Sequence, residues 1–264
     1  MITVHTFASG SSGNAALISH GNTHLLLDAG IACRRITQSL EALSLTPADL
    51  DGVLITHIHS DHVSALEVLS KRLSCPLYAR AETCSSLARR GYPLDFRPLD
   101  CGEAVTVGSL TVRAVRTSHD VRGGCGWRID AEDGAVGFLT DTGVVTDEAR
   151  ELLPGVSLMF LESNHDLDKL HGGFYPEDLK ARIEGPYGHL CNEDAARFAV
   201  TLAEHGAREF VLCHLSEENN TPELALAAFR AAFEDAGTDA AVSVAPRSEV
   251  SRAYVAEEGV LCRR

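Results

Sequence analysis

The chain has 264 residues, of which 45% are apolar, and a formal net charge of −14 at pH 7. This length and composition predict a folded chain with a packed core and exclude a disordered one. The negative charge opposes non-specific adhesion to nucleic acid or anionic lipid, so a phosphate-rich substrate would need a local positive site, which bound divalent metal can supply.

The first half of the chain is predicted to alternate strands and helices. Two or three strands are expected between residues 4 and 27, where the loop 9–14 and the turn 20–22 interrupt the apolar runs. The elements expected after them are a helix over 34–43, a strand at 53–55, a helix from 63 to about 73, a strand at 76–78 and a helix over 82–90 that Gly91 closes.

The second half begins with strands and ends in alternating helices and strands. Its expected elements are a hairpin with strands 104–107 and 110–116, strands at 125–129 and 136–139, a helix over 147–153, a strand at 156–161, helices over 175–183 and 192–205, a strand at 209–213, a helix that begins at Pro222 after a cap at Asn220 or Thr221, and short strands near Val242 and Tyr254. This order predicts an α/β chain with helices outside two facing sheets.

Location and domain organisation follow from what the sequence lacks. Residues 1–6 show no basic stretch followed by an apolar core, so no signal peptide is predicted, and no apolar run is long enough to span a membrane. The eight cysteines are scattered without a CxxC pair, which favours free thiols in a reducing compartment. We therefore expect one domain over 1–264 in the cytoplasm, without membrane association and without an obligate protein partner.

A cluster of potential metal ligands follows the predicted strand 53–55. It consists of His57, His59, Asp61 and His62, at a junction between a strand and a helix. Ligands in layered α/β folds bind beyond the carboxyl ends of strands. Since unpaired imidazoles are costly to gather without a metal, we interpret the cluster as part of a metal site.

Further metal-competent side chains follow other predicted strands. His119, Asp141 and His214 raise the number of potential ligands to seven. One ion cannot bind all of them and still keep a coordination position open for substrate. Two ions that share a carboxylate fit the set, and a two-metal site can hold a bridging hydroxide as nucleophile. The ligand types suit two divalent ions, Zn or Mn, with Fe as a further option.

The motif His57-x-His59-x-Asp61-His62, with His119, Asp141 and His214, resembles the metallo-β-lactamase superfamily over nearly the whole chain. The resemblance implies an αββα sandwich, in which two facing mixed sheets have helices outside. It also implies a dinuclear site with the following ligands: His57, His59 and His119 for the first metal, Asp61, His62 and His214 for the second, and Asp141 as the bridge.

Within the superfamily the chain is most similar to the YycJ/WalJ-type proteins, small cytoplasmic members regarded as exonucleases that act on DNA ends. The matching pieces are 9–14, 27–30, 140–143, 162–166, 188–190 and 214–220. One variant position is Cys191, where such proteins commonly carry serine. Only 142–188 separates Asp141 from His189, which leaves no room for the inserted clamp domain of RNA-processing and DNA-repair relatives.

Other roles are expected from the resemblance and from position. His189 is the candidate general acid for the leaving oxygen, and Asp61 is counted with it as catalytic. Asp28 would accept a hydrogen bond from a ligand imidazole. Candidate substrate contacts are Ser11, Ser12 and Asn14, in a loop whose amides could form an anion nest, and His165.

The leading functional hypothesis is a dinuclear metal-dependent phosphodiesterase, an exonuclease that acts on the ends of single-stranded DNA. One alternative is a hydrolase of small, for example cyclic, phosphodiesters, which suits an acidic chain without a basic groove. Another is oxygen or sulfur redox chemistry at iron on the same fold. A third, non-catalytic binding of nucleic-acid ends, is disfavoured because structural metal sites are closed.

Overall fold

The structure is a computed structural model that describes residues 1–256. Within this range the strands are β1 (Ile2–Ala8), β2 (Ala15–His20), β3 (Thr23–Leu27), β4 (Gly52–Leu54), β5 (Leu77–Ala79), β6 (Phe96–Pro98), β7 (Ala104–Val107), β8 (Leu110–Arg116), β9 (Cys125–Ala131), β10 (Gly134–Leu139), β11 (Leu158–Glu162), β12 (Glu209–Cys213), β13 (Ala241–Val244) and β14 (Tyr254–Ala256).

The α-helices of the same range are α1 (Cys33–Ala42), α2 (Ser60–Val63), α3 (Leu66–Leu69), α4 (Ala81–Ala88), α5 (Asp147–Leu152), α6 (Leu167–Gly172), α7 (Glu177–Glu184), α8 (Asn192–Glu204) and α9 (Pro222–Ala236). Two single 3-10 turns lie at Pro47–Asp49 and Ser70–Arg72. No helix among residues 1–256 is long and apolar enough to cross a membrane.

The strands form two seven-stranded sheets with the same plan. The orders are β14-β1-β2-β3-β4-β5-β6 and β13-β12-β11-β10-β9-β8-β7. In the first sheet β1 to β3 pair antiparallel and β3 to β6 pair parallel. In the second sheet β7 to β10 pair antiparallel and β10 to β13 pair parallel. Strand β14 returns to the first sheet beside β1.

Three apolar clusters hold the layers together. One lies between the sheets, where Trp127 and Phe160 are almost fully buried. The second packs α8 and α9 on the outer face of the second sheet, with Phe198 and Phe229 buried, and the third covers the first sheet. The expected sandwich of two facing mixed sheets with helices outside is thereby confirmed.

The predicted helix from 63 to about 73 is wrong, because the chain forms α2, α3 and a 3-10 turn there. The backbone groups that a continuous helix would use are engaged elsewhere. The carbonyl of Asp61 accepts from the amide of Asn14 at 2.8 Å, and the amide of Ala65 donates to the carbonyl of Ala29 at 2.8 Å. These bonds fix the metal-competent segment against the loop that follows β3.

Other differences are smaller. Strand β6 and helix α6 were not predicted, since both are short and β6 is a largely exposed edge strand. The side chain of Thr221 caps α9, while Asn220 bonds to Asn192 instead. Seven cysteines are free thiols, as expected, and Cys262 lies outside the described residues.

Candidate metal centre

Three site residues follow strand ends with left-handed backbone. Asp28 comes after β3, Asp141 after β10 and His214 after β12, with φ of 55°, 56° and 56°. This conformation is uncommon for residues other than glycine and costs about 1–3 kcal/mol, so it persists where the surroundings hold it. The parallel strands end at the same side of the sandwich, which gathers these side chains in one place.

The first group of potential ligands consists of His57, His59 and His119. Nε2 of His57 lies 3.0 Å from Nδ1 of His59, and that atom lies 3.4 Å from Nε2 of His119. The three nitrogens converge closely enough to bind one ion. Three protein ligands with an open position are typical of a catalytic metal site.

The second group consists of Asp61, His62 and His214. Oδ2 of Asp61 is 3.2 Å from Nε2 of His62 and 3.6 Å from Nε2 of His214. These atoms also lie close enough together for a single ion. The structure therefore brings the two predicted triads together as two adjacent groups.

Asp141 lies between the two groups. Its Oδ2 is 3.4 Å from Nε2 of His62, and its Oδ1 is 3.5 Å from Nε2 of His214 and 3.9 Å from Nε2 of His119. One carboxylate thus faces histidines of both triads. This is the position that a carboxylate shared by two ions requires.

The residues fit two divalent ions. Oδ2 of Asp141 and Nε2 of His214 are buried and have no hydrogen-bond partner among the described residues. Buried polar atoms without a partner cost roughly 1–3 kcal/mol each, which a bound cation would offset. Imidazole nitrogens and carboxylate oxygens suit Zn, Mn or Fe, so the donor set does not select the metal.

Asp28 and Thr56 orient His62. The Asp28 carboxylate accepts from Nδ1 of His62 at 2.8 Å and from the amide of Thr56 at 2.9 Å. Since a carboxylate only accepts, Nδ1 of His62 carries the proton and Nε2 is left for a ligand. This contact is the one expected for Asp28.

Glu162, for which no role is predicted from the sequence, orients His189 and His214 as Asp28 orients His62. Its buried Oε1 lies 2.8 Å from Nδ1 of His189 and 2.8 Å from Nδ1 of His214. Its Oε2 accepts from the amides of Thr142 and Leu190. A carboxylate at the end of an apolar strand was the feature that could have identified it.

Charges around the histidines set their protonation. Burial lowers the pKa of His57 well below its ordinary value, so this imidazole is neutral and able to bind a metal. Burial also opposes protonation of His189, but the carboxylates of Glu162 and Asp141 together outweigh that effect and raise the pKa of His189. Conversely, His189 and His214 outweigh the burial of Glu162 and lower the pKa of its carboxyl to about 2.

Asp120 joins the rim of the site to the ligands. Its Oδ1 lies 3.3 Å from Nε2 of His59, and its other oxygen pairs with Arg182. Asp120 follows His119 in the sequence, but only the folded chain shows that its carboxylate also reaches His59. The exposed Arg182 places positive charge at the same rim.

A cavity of about 270 Å3 opens onto the two groups. Its lining residues include the potential ligands His59, Asp61, His119, Asp141 and His214, and also Ser11, Asp120, Leu179, Arg182, Ile183, Tyr187, Gly188 and His189. His189 is thus the histidine outside the two triads that faces the cavity. The geometry can hold a phosphoryl group beside two cations, with a proton-carrying imidazole next to it.

The predicted substrate contacts are only partly placed at the cavity. Ser11 lines it, whereas Ser12 is exposed and is not part of the lining. Asn14 instead contacts the site residues, with Nδ2 3.1 Å from Nε2 of His62 and 3.4 Å from Oδ2 of Asp61. The structure thus places Ser11, but neither Ser12 nor Asn14, at the wall of this cavity.

Most amides of loop 9–14, where an anion nest is predicted, are engaged in hydrogen bonds within the protein. The amides of Ser9, Gly10, Gly13 and Asn14 already donate to Arg247, Asn14, Gly10 and Asp61, respectively. Amides that are engaged within the protein are not available to an anion. The loop instead holds the segment of Asp61 and His62 in place.

His165, a predicted substrate contact, is another residue that the structure does not bring to the cavity. Its side chain is fully buried and does not line the cavity. Neither ring nitrogen has a hydrogen-bond partner among the described residues, and burial lowers the pKa of His165 to about 4. His165 therefore belongs to the packing behind the site.

Comparisons with known proteins give both a family and a fold. Residues 23–215 match the Beta-lactamase superfamily domain. The chain is 35% identical over 223 residues to the exodeoxyribonuclease WalJ of Streptococcus pneumoniae, covering 83% of each chain. It is 32% identical over 233 residues to the exodeoxyribonuclease YycJ of Bacillus anthracis, covering 87% of this chain and 88% of the relative.

Among solved structures, the metallo-β-lactamase fold protein YhfI from Bacillus subtilis superposes with a TM-score of 0.72 at 20% identity. The match covers 95% of this chain and 98% of that protein. At this identity the likeness shows the shared fold alone.

Proposed function

The chain belongs to the metallo-β-lactamase superfamily, in the group of WalJ and YycJ, and is a metal-dependent hydrolase. From this premise we propose that it removes nucleotides from the ends of single-stranded DNA. The observation that carries the proposal is the position of Asp141, which faces both histidine groups while His189 lines the same cavity. We also propose that residues 1–264 form a single domain and that the protein is located in the cytoplasm.

Each triad would bind one of two metal ions. The residues that would hold the ions are His57, His59 and His119 for one, Asp61, His62 and His214 for the other, with Asp141 shared. When bound, two divalent cations would make hydroxide available at neutral pH and neutralise charge on phosphoryl oxygens. Asp28 and Glu162 keep the rings of His62 and His214 in the required orientation.

His189 is the proposed proton donor to the leaving oxygen. Glu162 raises its pKa and holds Nδ1, which leaves Nε2 free for the substrate side. A general acid works best when it is still protonated near the working pH, which the raised pKa favours. Phosphodiester cleavage releases a poor leaving group, so this proton matters to the rate.

The charge of the chain bears on which phosphodiester is cleaved. Net charge is −14, and Arg182 is the arginine among the residues that line the cavity. This favours one second candidate function, hydrolysis of small phosphodiesters, because a polymer gains more from an extended basic groove. The polymer remains our proposal, because the two relatives above, covered over 83% and 88% of their length, are named as exodeoxyribonucleases.

The test uses the purified full-length chain with Mn or Zn added separately. Labelled single-stranded DNA with a 5′-phosphate and a small cyclic phosphodiester are offered in parallel to the parent protein. We expect shortening of the DNA, and we expect the double variant His59→Ala, Asp61→Ala to lose it by several orders of magnitude. The matched control is His205→Ala, Asp235→Ala, which makes the same two changes on the exposed surface.

Three outcomes separate the possibilities. Equal cleavage of DNA by the His59/Asp61 double variant would contradict the metal-dependent mechanism. Turnover of the cyclic diester without DNA shortening would replace the proposal with the small-diester alternative. Oxygen consumption with bound iron and no hydrolysis would favour the redox alternative.

A further inference from the structure

Tyr187 is an exposed aromatic side chain at the edge of the catalytic cavity. It lies in the loop 185–188 between α7 and His189, lines the cavity, and is 65% exposed. Among residues 1–256 its side chain takes part in no hydrogen bond and in no aromatic pair. Its location two residues before the proposed general acid makes a role toward the substrate worth testing.

The backbone under this ring is held firmly. The hydroxyl of Ser118 donates to the carbonyl of Pro186 at 2.6 Å, and the amide of Gly188 donates to the carbonyl of Gly185 at 2.8 Å. Gly143 packs so closely that a Cβ there would come within 2.3 Å of the carbonyl oxygen of Gly185. The ring of Tyr187 is therefore a free surface on a fixed support, so little conformational entropy is lost when a ligand packs on it.

The same loop is tied to the metal centre. The carbonyl of Gly188 lies 3.2 Å from Nδ1 of His119, and the amide of His189 donates to the carbonyl of Ile183 at 2.9 Å. The position of Tyr187 is thus set relative to both a potential metal ligand and the proposed general acid. A group that packs on its ring would lie in the same cavity as the proposed general acid.

The surroundings indicate the chemical nature of that group. Helix α7 contributes Leu179 and Ile183 to the same cavity wall, together with the exposed Arg182, whose guanidinium also pairs with Asp120. An aromatic face with a neighbouring arginine is the combination by which proteins hold single-stranded nucleic acid, because every base has a face that can stack. In a duplex a base must be unpaired and unstacked before it can enter the cavity, so packing on the ring costs less for a base that is already unpaired.

We propose that Tyr187 stacks on the unpaired nucleobase next to the phosphodiester that is cleaved, with Arg182 supplying positive charge to the adjoining backbone. This inference rests on the proposed function, and it names the side chain that would make the enzyme prefer single strands. It assigns Tyr187 to substrate binding and not to the chemical step.

The test compares Tyr187→Leu with Tyr187→Phe, which keeps the ring. Phe174→Leu is the matched control, because Phe174 is fully exposed but does not line the cavity. Each protein is assayed with single-stranded DNA and with the same strand carrying abasic sites at its terminal positions. KM and kcat are measured with metal, and binding of the labelled strands is measured in EDTA, where cleavage is absent.

We expect Tyr187→Leu to raise KM for normal single-stranded DNA by about 5- to 150-fold, the effect of losing one base–aromatic stack, with little change in kcat. Tyr187→Phe and Phe174→Leu should match the parent. On the abasic strand the parent should lose the same factor, and Tyr187→Leu should add no further loss.

Two results would overturn the inference while leaving the proposed function intact. One is an unchanged KM for Tyr187→Leu on normal DNA. The other is an equal loss on normal and abasic strands, which would indicate a general effect on the loop. A parent protein that cuts neither strand would refute the proposed function itself, and the inference with it.

Discussion

Oε1 of Glu162 lies 2.8 Å from Nδ1 of His189. The same oxygen lies 2.8 Å from Nδ1 of His214, so one buried carboxylate orients a potential metal ligand and the proposed general acid. In the proposed mechanism, binding of metal and donation of a proton are thereby linked through a single side chain.

Replacing this carboxylate should impair both functions. Glu162→Gln keeps the shape but removes the charge that holds the two imidazoles, so we expect metal affinity or kcat to fall by about 10- to 100-fold. Metal content by mass spectrometry and kcat on single-stranded DNA measure the two effects separately. Glu204→Gln, at an exposed helix end, is the matched control, and equal behaviour of the two variants would contradict the linkage.

The role of His189 can be tested by changing the leaving group. His189→Ala should lower kcat on DNA by about 10²–10⁴-fold, because the departing alkoxide needs a proton. On a nucleoside p-nitrophenyl phosphate diester the loss should be small, because p-nitrophenolate leaves without protonation. A similar loss on both substrates would mean that His189 acts in some other way, and His205→Ala serves as the control.

Gly30 permits the close approach of two loops at the site. A Cβ at this position would lie 1.5 Å from the carbonyl oxygen of Asp61, which is backbone and cannot move aside cheaply. We expect Gly30→Ala to lower the free energy of unfolding by about 1–3 kcal/mol or more and to reduce metal binding, because Asp61 is displaced. In urea titrations Gly172→Ala should be at least as stable as the parent, because nothing lies within 4 Å of a Cβ there and a helix favours alanine over glycine.

His165 makes stability dependent on pH. Burial lowers its pKa from the ordinary 6.5 to about 4, so between these values the unfolded chain binds a proton that the folded chain does not. The free energy of unfolding should therefore fall as the pH is lowered through this range, by up to about 3 kcal/mol. Well above pH 6.5 His165 is neutral in both states, so the free energy of unfolding no longer changes with pH through this residue.

The variant His165→Leu lacks the titrating group and should lose less stability over the same pH range. Urea titrations of both proteins in EDTA at several pH values between 4 and 7 measure the difference, since other titrating groups affect both alike. Parallel curves for parent and variant would show that His165 does not titrate as inferred.

Much of the fold could be predicted because its features are local. The hairpin of Ala104–Val107 and Leu110–Arg116 matches the alternation of apolar and polar residues, and Glu209–Cys213 matches an apolar run. Helix α8 likewise ends close to its predicted boundary. Periodicity and turn residues are read from neighbouring positions, so they need no knowledge of distant contacts.

The errors arose where distant backbone decides the local structure. The segment after His62 breaks into short turns, because Asp61 and Ala65 bond to Asn14 and Ala29. Loop 9–14 has the composition of an anion nest, yet most of its amides donate within the protein. Neither outcome is visible in the local sequence, since the partners are remote along the chain.

The sequence by itself determined the chemistry of the site. Closely spaced histidines and aspartates after apolar strands, in the order His57 to His214, identify the superfamily and the residue types able to bind metal. The types of these residues and their positions after predicted strands are enough to predict a shared site, because parallel strands of a sheet bring their carboxyl ends to one edge.

Only the tertiary structure decided how those residues are arranged and which others join them. Folding brings Asp141 between two histidine groups, places Glu162 under both His189 and His214, removes His165 from the cavity, and sets Tyr187 at its edge. These relations depend on distances of a few ångströms between side chains far apart in sequence, which packing of the two sheets determines.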